Sequence, residues 1–333
     1  MCIMSNIGVN GFGRIGRYFT RLALQKNGIN VAVVNDLGDI HTLAHLLKYD
    51  SIHSSFGLKF EIVGNSLVFE NGKQIVFTQE SKPENIPWKE YNVDIVIEST
   101  GIFLTKEKAS AHLAAGAKRV IISAPPDGDD INTVVLGVND SVLEDHDLII
   151  SNASCTTNSA APMIAILESI ATIESAFITT VHSYTSDQKL HDAPHKDLRR
   201  ARAAALSIVP TSTGAAKAIT KIFPDLEGKI GGCGLRVPVP NGSLTDLTII
   251  TEEFLTVEQI NAAFLESSKK ELLGILEYTS DPIVSVDIIG NPHSVIFDSL
   301  LTSVIGKMVK VVGWYDNEAG YCNRLLDLVQ KIK

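Results

Sequence analysis

Ile7-Gly-Val-Asn-Gly-Phe-Gly-Arg-Ile-Gly16 is a short apolar run that breaks into a G-x-G-x-x-G triplet and then opens a helical pattern. A glycine triplet alone is a weak signal, so its flanks decide the reading. Here a strand-like segment precedes it and the helical stretch 14–26 follows. Asp36 closes the next apolar run, Val31-Ala-Val-Val-Asn35, 20 residues beyond Gly16. This is the context that a phosphate-binding strand–turn–helix requires. Gly11 permits the tight turn, Gly13 lets backbone approach a pyrophosphate, and Gly16 lets helix and sheet pack closely. The phosphates then meet the free N–H groups of the helix start.

A carboxylate at Asp36 accepts from a ribose 2′-hydroxyl and repels a 2′-phosphate, which favours NAD over NADP. Segments 93–97, 119–123 and 148–150 are further β-branched runs, and 106–115 has helical spacing. The first 150 residues therefore predict a parallel sheet with crossover helices. Residues 60–77, punctuated by Gly64-Asn65 and Asn71-Gly72, are expected to insert a pair of short antiparallel strands.

After a helix expected over 156–170 the pattern changes. Segments 173–184, 230–238, 243–253, 283–289, 294–298 and 308–315 read as strands, with helices only at 214–222 and 257–271. A second, mostly antiparallel sheet is predicted. The end of the chain has helical spacing at Leu325, Leu326, Leu328 and Val329, and is expected to return to the first domain.

The junction falls at Ser151-Asn-Ala-Ser-Cys-Thr-Thr-Asn158, so the site is expected in a cleft between domains. Cys155 sits at the mouth of a helix, where unpaired N–H groups and the dipole favour an anion. A thiol so placed is expected to ionise readily, with its pKa lowered to roughly 3.5–7.5. His182, at the end of the apolar run 177–181 and just ahead of Ser183-Tyr-Thr-Ser-Asp187, is the candidate base. The backbone N–H of Cys155 is a candidate oxyanion donor. The other cysteines, Cys2, Cys233 and Cys322, form no C-x-x-C pair, so neither a metal site nor a disulfide framework is expected. Ser159 stands one helical turn beyond Cys155, where a second thiol could have formed a disulfide with it.

Arg199, Arg200, Arg202 and Arg236 form a basic group, and Thr211-Ser-Thr-Gly214 offers hydroxyls and N–H groups ahead of a helix. Together they suggest phosphorylated ligands. The polar stretch 186–202 is long for a connection, and loops of that length tend to be functional.

The chain has 333 residues, 45% of them hydrophobic, so two domains with ample core are expected. A formal net charge of −9 argues against nucleic acid as a primary partner. No run approaches about 18 uninterrupted apolar residues, so no membrane span is expected. The first residues lack a charged-then-apolar leader, and a cytoplasmic protein is expected.

These motifs, in this order, resemble phosphorylating glyceraldehyde-3-phosphate dehydrogenase over essentially the whole chain. The resemblance is carried by Val9-Asn-Gly-Phe-Gly-Arg-Ile-Gly-Arg17, Ser151 to Asn158, His182-Ser-Tyr-Thr185, Arg199-Arg-Ala-Arg202, Thr213-Gly-Ala-Ala-Lys217, Leu235-Arg-Val-Pro238 and Trp314-Tyr-Asp-Asn-Glu318. It implies an α/β protein with a Rossmann-type NAD-binding domain over 1–154, onto which 318–333 packs back. An α+β catalytic domain with a mostly antiparallel sheet would span 155–317.

The resemblance also implies roles. Cys155 would attack the aldehyde of D-glyceraldehyde 3-phosphate to form a hemithioacetal, and His182 would activate the thiol and accept the hydroxyl proton. Hydride would pass to NAD, and inorganic phosphate would cleave the thioester to 1,3-bisphosphoglycerate. Gly11, Gly13, Arg14, Ile15, Gly16, Asp36, Ser123 and Asn317 match the cofactor contacts, with Asn317 orienting the carboxamide. Thr185 and Arg236 match the substrate-phosphate site. Ser154, Thr156, Arg200, Thr213 and Gly214 match the region receiving attacking phosphate. The stretch 186–202 matches a loop that reaches a neighbouring subunit's cofactor, implying a homotetramer. Ser81 stands where many members carry a basic residue, and Ala319 where a tryptophan is frequent.

The nearest alternative is erythrose-4-phosphate dehydrogenase, similar in its glycine and cysteine motifs. A thiol hydrolase using Cys155 and His182 alone leaves the glycine triplet and Asp36 unexplained. A scaffold role for the basic loop is disfavoured by the acidic charge.

Overall fold

Alternation of β-branched runs with helical spacing produces a nine-stranded sheet in the first half of the computed structural model, which describes residues 5–332. Cys2, and Lys333 at the end of the expected last helix, lie outside those residues. The chain divides into two units. One holds the chain up to Val134, Asp140–Ala153 and the chain from Cys322 onward; the other holds Val135–Asn139 and Ser154–Tyr321.

In the first unit, β1 (Ser5–Asn10) leads through α1 (Arg14–Gln25) to β2 (Ile29–Asn35) and α2 (Ile40–Lys48). Then come β3 (Phe60–Val63), β4 (Ser66–Phe69), β5 (Gln74–Thr78), β6 (Ile95–Glu98), α3 (Lys106–Ala114), β7 (Arg119–Ile122), β8 (Asn132–Thr133) and β9 (Ile149–Ser151). The strand order is β3-β4-β5-β2-β1-β6-β7-β9-β8. The central strands are buried on both faces: Ile7, Val9, Val33, Val34, Val96, Ile97, Val120 and Ile121 have no exposed surface. That explains why they read as continuous apolar runs.

Residues 60–77 hold three strands and not the expected pair, since the second turn, with Gly72 at φ 81°, releases β5 to pair in parallel with β2. The helix α2 lies beyond the helices expected from the sequence; Asp39 caps it by accepting from the Thr42 N–H at 3.0 Å, and Leu43, Ala44 and Leu47 form its buried face.

The second unit is built around α4 (Cys155–Ile170), a helix whose residues 156–164 are all buried. It is followed by β10 (Ile173–Ser183), β11 (Val209–Thr211), α5 (Ala215–Ile222), β12 (Ile230–Val237), β13 (Ser243–Thr251), α6 (Val257–Lys269), β14 (Leu276–Thr279), β15 (Val295–Asp298), β16 (Ser303–Ile305) and β17 (Met308–Tyr315). The strand order is β11-β12-β10-β13-β17-β15-β14, with β16 on β17. Pairings are antiparallel except β10 with β12 and β14 with β15. The helix α4 packs on β10, β13, β15 and β17 and against α5 and α6.

Residues 283–289 are turns and not the expected strand. Asp287 accepts from the Val284 N–H at 2.8 Å and donates its own N–H back to the Val284 carbonyl at 3.0 Å, which curls the segment. Local bonding of this kind competes with a ladder. The last helix, α7 (Ala319–Lys331), buries Leu325, Leu326, Leu328 and Val329. Among the described residues no helix is long and apolar enough to cross a membrane.

Candidate functional site

In the first unit a pocket of about 330 Å³ opens at the carboxyl ends of β1, β2, β5 and β6, lined by Gly11, Gly13, Asp36, Ser81, Ser99 and Thr100 among others. Ligands of open parallel sheets bind at that edge. The glycines separate packing demands from ligand demands. A Cβ on Gly11, at φ 89°, would lie 2.8 Å from the Thr100 nitrogen, and one on Gly16 would lie 2.1 Å from the Gly11 carbonyl oxygen. A Cβ on Gly13 would meet nothing within 4 Å. Packing explains the first two, whereas the free space over Gly13 is the cradle that an approaching pyrophosphate would fill.

Asp36 fastens this loop. Its Oδ2 accepts from the Phe12 N–H at 2.7 Å and its Oδ1 from the Gly38 N–H at 2.8 Å, which sets the carboxylate at the pocket rim. The residues present fit a dinucleotide. Arg14 is committed elsewhere: its guanidinium forms a two-pronged ion pair with Asp50, at 2.6 and 3.1 Å, so only its backbone is left for a cofactor. Arg14 holds the Asp50 carboxyl down to about 2 against burial, aided by the His53 and Ile52 N–H groups. Ile15 and Ser123 are half-buried and do not line the pocket. Ser81 does, and so do Asn10, Asn35, Glu80 and Phe103, four residues that the sequence reading does not single out for this role. Their signal was position alone, at or just past strand ends.

In the second unit the helix start and a strand end converge. Ser154 caps α4 by accepting from the Thr157 N–H at 3.0 Å, which makes Cys155 the first helical residue. Cys155 Sγ lies 3.4 Å from His182 Nε2. The pairing of β10 with β12 sets His182 opposite Arg236. Arg236 Nη1 lies 2.5 Å from His182 Nδ1 and donates to the Ser183 carbonyl at 2.9 Å. That carbonyl is also 2.7 Å from Nδ1. With a proton, Nδ1 donates to Ser183 and leaves Nε2 free to take the thiol hydrogen. Without one, it accepts from Arg236 and Nε2–H points at the sulfur.

The expected lowering of the thiol pKa is not what the site gives. Burial pushes the Cys155 thiol up, opposed by the charge of Arg236 and by hydrogen bonds from Thr156. Burial, together with Arg236, brings His182 down to about 3. The physical reason is one of size: a helix terminus contributes about 1 kcal/mol or less, while withdrawing a charge from water costs several. Burial thus favours the neutral form of both groups.

Tyr315 was missed by the sequence reading. Its hydroxyl bridges Thr156 Oγ1 at 2.9 Å and Thr180 Oγ1 at 2.8 Å, and its ring meets His182 edge-on. Asn317 is held by its oxygen, which accepts from Ser183 Oγ and Ser243 Oγ, both at 2.9 Å. That fixes which end of the amide carries the N–H donors.

The expected phosphate residues are distributed. Arg236 is within the thiol cluster and close enough to feel the charges of Arg200 and Asp187. Arg200 pairs with Asp187 and donates to Thr211 Oγ1 at 2.9 and 2.6 Å. Thr213 Oγ1 accepts from the Ala215 N–H at 3.2 Å, with Gly214 as the cap of α5. The hydroxyls of Ser154 and Thr156 are engaged in capping and with Tyr315, while Thr185 is half-buried beyond β10.

Comparison with known proteins bears on both halves. Residues 5–106 match the NAD binding domain of glyceraldehyde 3-phosphate dehydrogenase, and residues 154–317 match its C-terminal domain. The glyceraldehyde-3-phosphate dehydrogenase of Geobacillus stearothermophilus is 53% identical over 98% of this chain and 97% of its own length. That of Mycobacterium avium is 54% identical over 97% of each chain. A glyceraldehyde-3-phosphate dehydrogenase 2 of Streptomyces avermitilis is 53% identical over 97% of this chain and 96% of its own. With a dinucleotide cradle in one unit and a thiol–imidazole pair in the other, the chain belongs to the glyceraldehyde-3-phosphate dehydrogenase family and is an NAD-dependent oxidoreductase.

Proposed function

We propose that the chain catalyses NAD-dependent oxidative phosphorylation of D-glyceraldehyde 3-phosphate to 1,3-bisphosphoglycerate. The observation that carries this reading is the 3.4 Å approach of Cys155 Sγ to His182 Nε2, with Arg236 on the opposite ring nitrogen. His182, neutral at working pH, takes the Cys155 proton as sulfur adds to the aldehyde carbon. Nε2 returns that proton to the oxyanion, giving the hemithioacetal hydroxyl, and the neutral ring then serves as the base that takes the hydroxyl proton as hydride leaves carbon. The Cys155 N–H, at the start of α4, serves as the donor for the developing oxyanion.

Bound NAD supplies the hydride acceptor that takes the hemithioacetal to a thioester. On the protein side, Gly11, Gly13, Gly16 and Asp36 hold the dinucleotide, with the Arg14 and Ile15 backbone at the helix start and Ser123 beyond β7. Asn317, with its oxygen occupied, offers N–H groups to a carboxamide oxygen. Thr185 and Arg236 bind the substrate phosphate. Ser154, Thr156, Arg200, Thr213 and Gly214 receive inorganic phosphate, which attacks the thioester carbon; the acyl–sulfur bond breaks and Cys155 leaves as thiolate. For Arg200 this requires the anion to draw the guanidinium from Asp187.

The reading extends to a cytoplasmic homotetramer. Leu190, Leu198, Leu206 and Ile208 are 75, 83, 80 and 64% exposed in one segment, more apolar surface than a free loop favours.

The test is NADH formation from glyceraldehyde 3-phosphate with and without inorganic phosphate or arsenate, run beside erythrose 4-phosphate. Oxidation that ignores phosphate would contradict the acyl-transfer half. Faster turnover of erythrose 4-phosphate would move the assignment to that dehydrogenase.

A further inference from the structure

Beneath the cofactor pocket of the first unit lies a buried carboxylate that the reaction does not use. Glu98 ends β6 with 1% of its surface exposed, and in the ladder it stands opposite Asn10 of β1. Its Oε1 accepts from the Thr100 N–H at 2.8 Å and from the Thr100 hydroxyl. Its Oε2 accepts from Asn10 Nδ2 at 2.6 Å and faces His112 Nε2 at 3.0 Å.

The proton positions follow from the partners. The Trp88 indole nitrogen can only donate, and it meets His112 Nδ1 at 3.1 Å. Nδ1 is therefore bare and Nε2 carries the hydrogen, donated to Glu98. The Thr100 N–H and Asn10 Nδ2 can only donate, and His112 Nε2 donates with Nδ1 bare, so a Glu98 carboxyl with both oxygens accepting satisfies all three together with the Thr100 hydroxyl.

Acceptance at Glu98 then fixes every bond upstream. With its Nδ2 turned to Glu98, Asn10 presents Oδ1 to Asn35 Nδ2 at 2.8 Å. Asn35 Nδ2 also donates to the Glu80 carbonyl at 2.9 Å, and its Oδ1 accepts from the Glu80 N–H at 2.8 Å and the Thr78 hydroxyl at 2.9 Å. Four residues of the pocket wall, Asn10, Asn35, Glu80 and Thr100, thus hang from one carboxylate. Two of them flank the Gly11 turn, whose carbonyl is held in turn by Ser99 Oγ at 2.7 Å.

We infer that Glu98 is a positioning residue for NAD: its two accepting oxygens, with His112 held as a donor by Trp88, set the direction of the hydrogen-bond chain that shapes the pocket wall. Glutamine at this position puts an NH2 group against either the Thr100 N–H or Asn10 Nδ2, both donors, and one arm of the chain must turn away. A buried partner left unpaired is costly enough to displace the wall and not merely soften it.

The experiment compares Glu98→Gln with wild type by NAD titration, normalised to the folded fraction from Cys155 thiol titre. NAD is expected to bind at least about tenfold more weakly, with KM for NAD rising and kcat at saturating NAD little changed. The rate of Cys155 alkylation without NAD should be unaltered, since that thiol lies in the other unit. A purely structural role would lower the melting temperature and leave the Kd of folded protein alone. Should Glu98→Gln not fold, His112 serves, because it does not line the pocket. His112→Leu should weaken NAD several-fold, while His112→Gln, whose amide can still donate to Glu98, should restore binding to within about twofold. Folded Glu98→Gln, or folded His112→Leu, with wild-type affinity for NAD would overturn the inference.

Discussion

Arg236 and Cys155 address opposite nitrogens of one imidazole: Nη1 lies 2.5 Å from His182 Nδ1, while Sγ lies 3.4 Å from Nε2. A cation on the first nitrogen resists protonation of the ring and steadies a thiolate on the second. Arg236→Gln removes that charge. The thiol, already pushed up by burial, should move further up, and the imidazole should rise as well. The pH profile of Cys155 alkylation by iodoacetamide, without substrate, should shift to higher pH. An unchanged profile would remove Arg236 from the proton balance of the site.

The neutral state of His182 has a stability consequence. Its folded value, about 3, lies below the ordinary histidine value of about 6.5, so the unfolded chain takes the proton first as pH falls. The stabilisation is complete above pH ~6.5 and is lost progressively from there down toward pH ~3. At ~1.4 kcal/mol per unit, the loss across that window is several kcal/mol. Asp50 adds a contribution of ordinary sign, present above pH ~3.8 and lost as the pH falls through about 2, mostly below the same window. Urea melts of wild type and His182→Asn from pH 7 to 4 should therefore diverge, with the variant flatter. Parallel curves would falsify the buried, neutral assignment.

Much of this site is legible in the sequence, and the reason is local. Cys155 announces itself by standing first in a helix behind a serine cap, and His182 by closing an apolar strand ahead of a polar loop. The glycines of the turn declare their spacing, and Asp36 its place after β2. What stays hidden depends on pairing between distant strands. The motifs assign Arg236 to the substrate phosphate, but its place on the His182 ring appears only once β12 lies parallel to β10 and sets it opposite that residue, 54 positions away. Tyr315 and the serines that hold Asn317 are likewise brought in by β17 and β13. The thiol shifts up where the helix terminus alone predicts down, for a related reason. A sequence displays the helix terminus but not the packing around the sulfur.

Asp36 does two jobs that a single substitution can separate by degree. It presents oxygen to the pocket rim and also receives the N–H groups of Phe12 and Gly38. Asp36→Gly removes both, so kcat/KM with NAD should fall by about ten- to a hundredfold. With the repelling charge gone, the ratio of NADP to NAD efficiency should rise at least about tenfold. If both efficiencies fall together, the carboxylate shapes the loop but does not choose the cofactor.

Ala153 carries backbone strain two residues ahead of the nucleophile. Its φ of 56° lies in the left-handed region, it is fully buried, and its N–H donates to Ser151 Oγ at 3.0 Å. That conformation costs an alanine roughly 1 kcal/mol, and it is imposed where the chain must turn from β9 into the cap of α4. Glycine adopts it freely but loosens the unfolded chain, so Ala153→Gly should leave stability within about 1 kcal/mol of wild type. Valine is a different matter, because a branched Cβ at positive φ clashes with its own backbone and no space surrounds it. Ala153→Val should cost more than ~2 kcal/mol in urea melts and slow Cys155 alkylation in the protein that remains folded. Equal stability of the valine and glycine variants would mean that the turn relaxes to an ordinary conformation in solution, and the placement of Cys155 would then owe nothing to it.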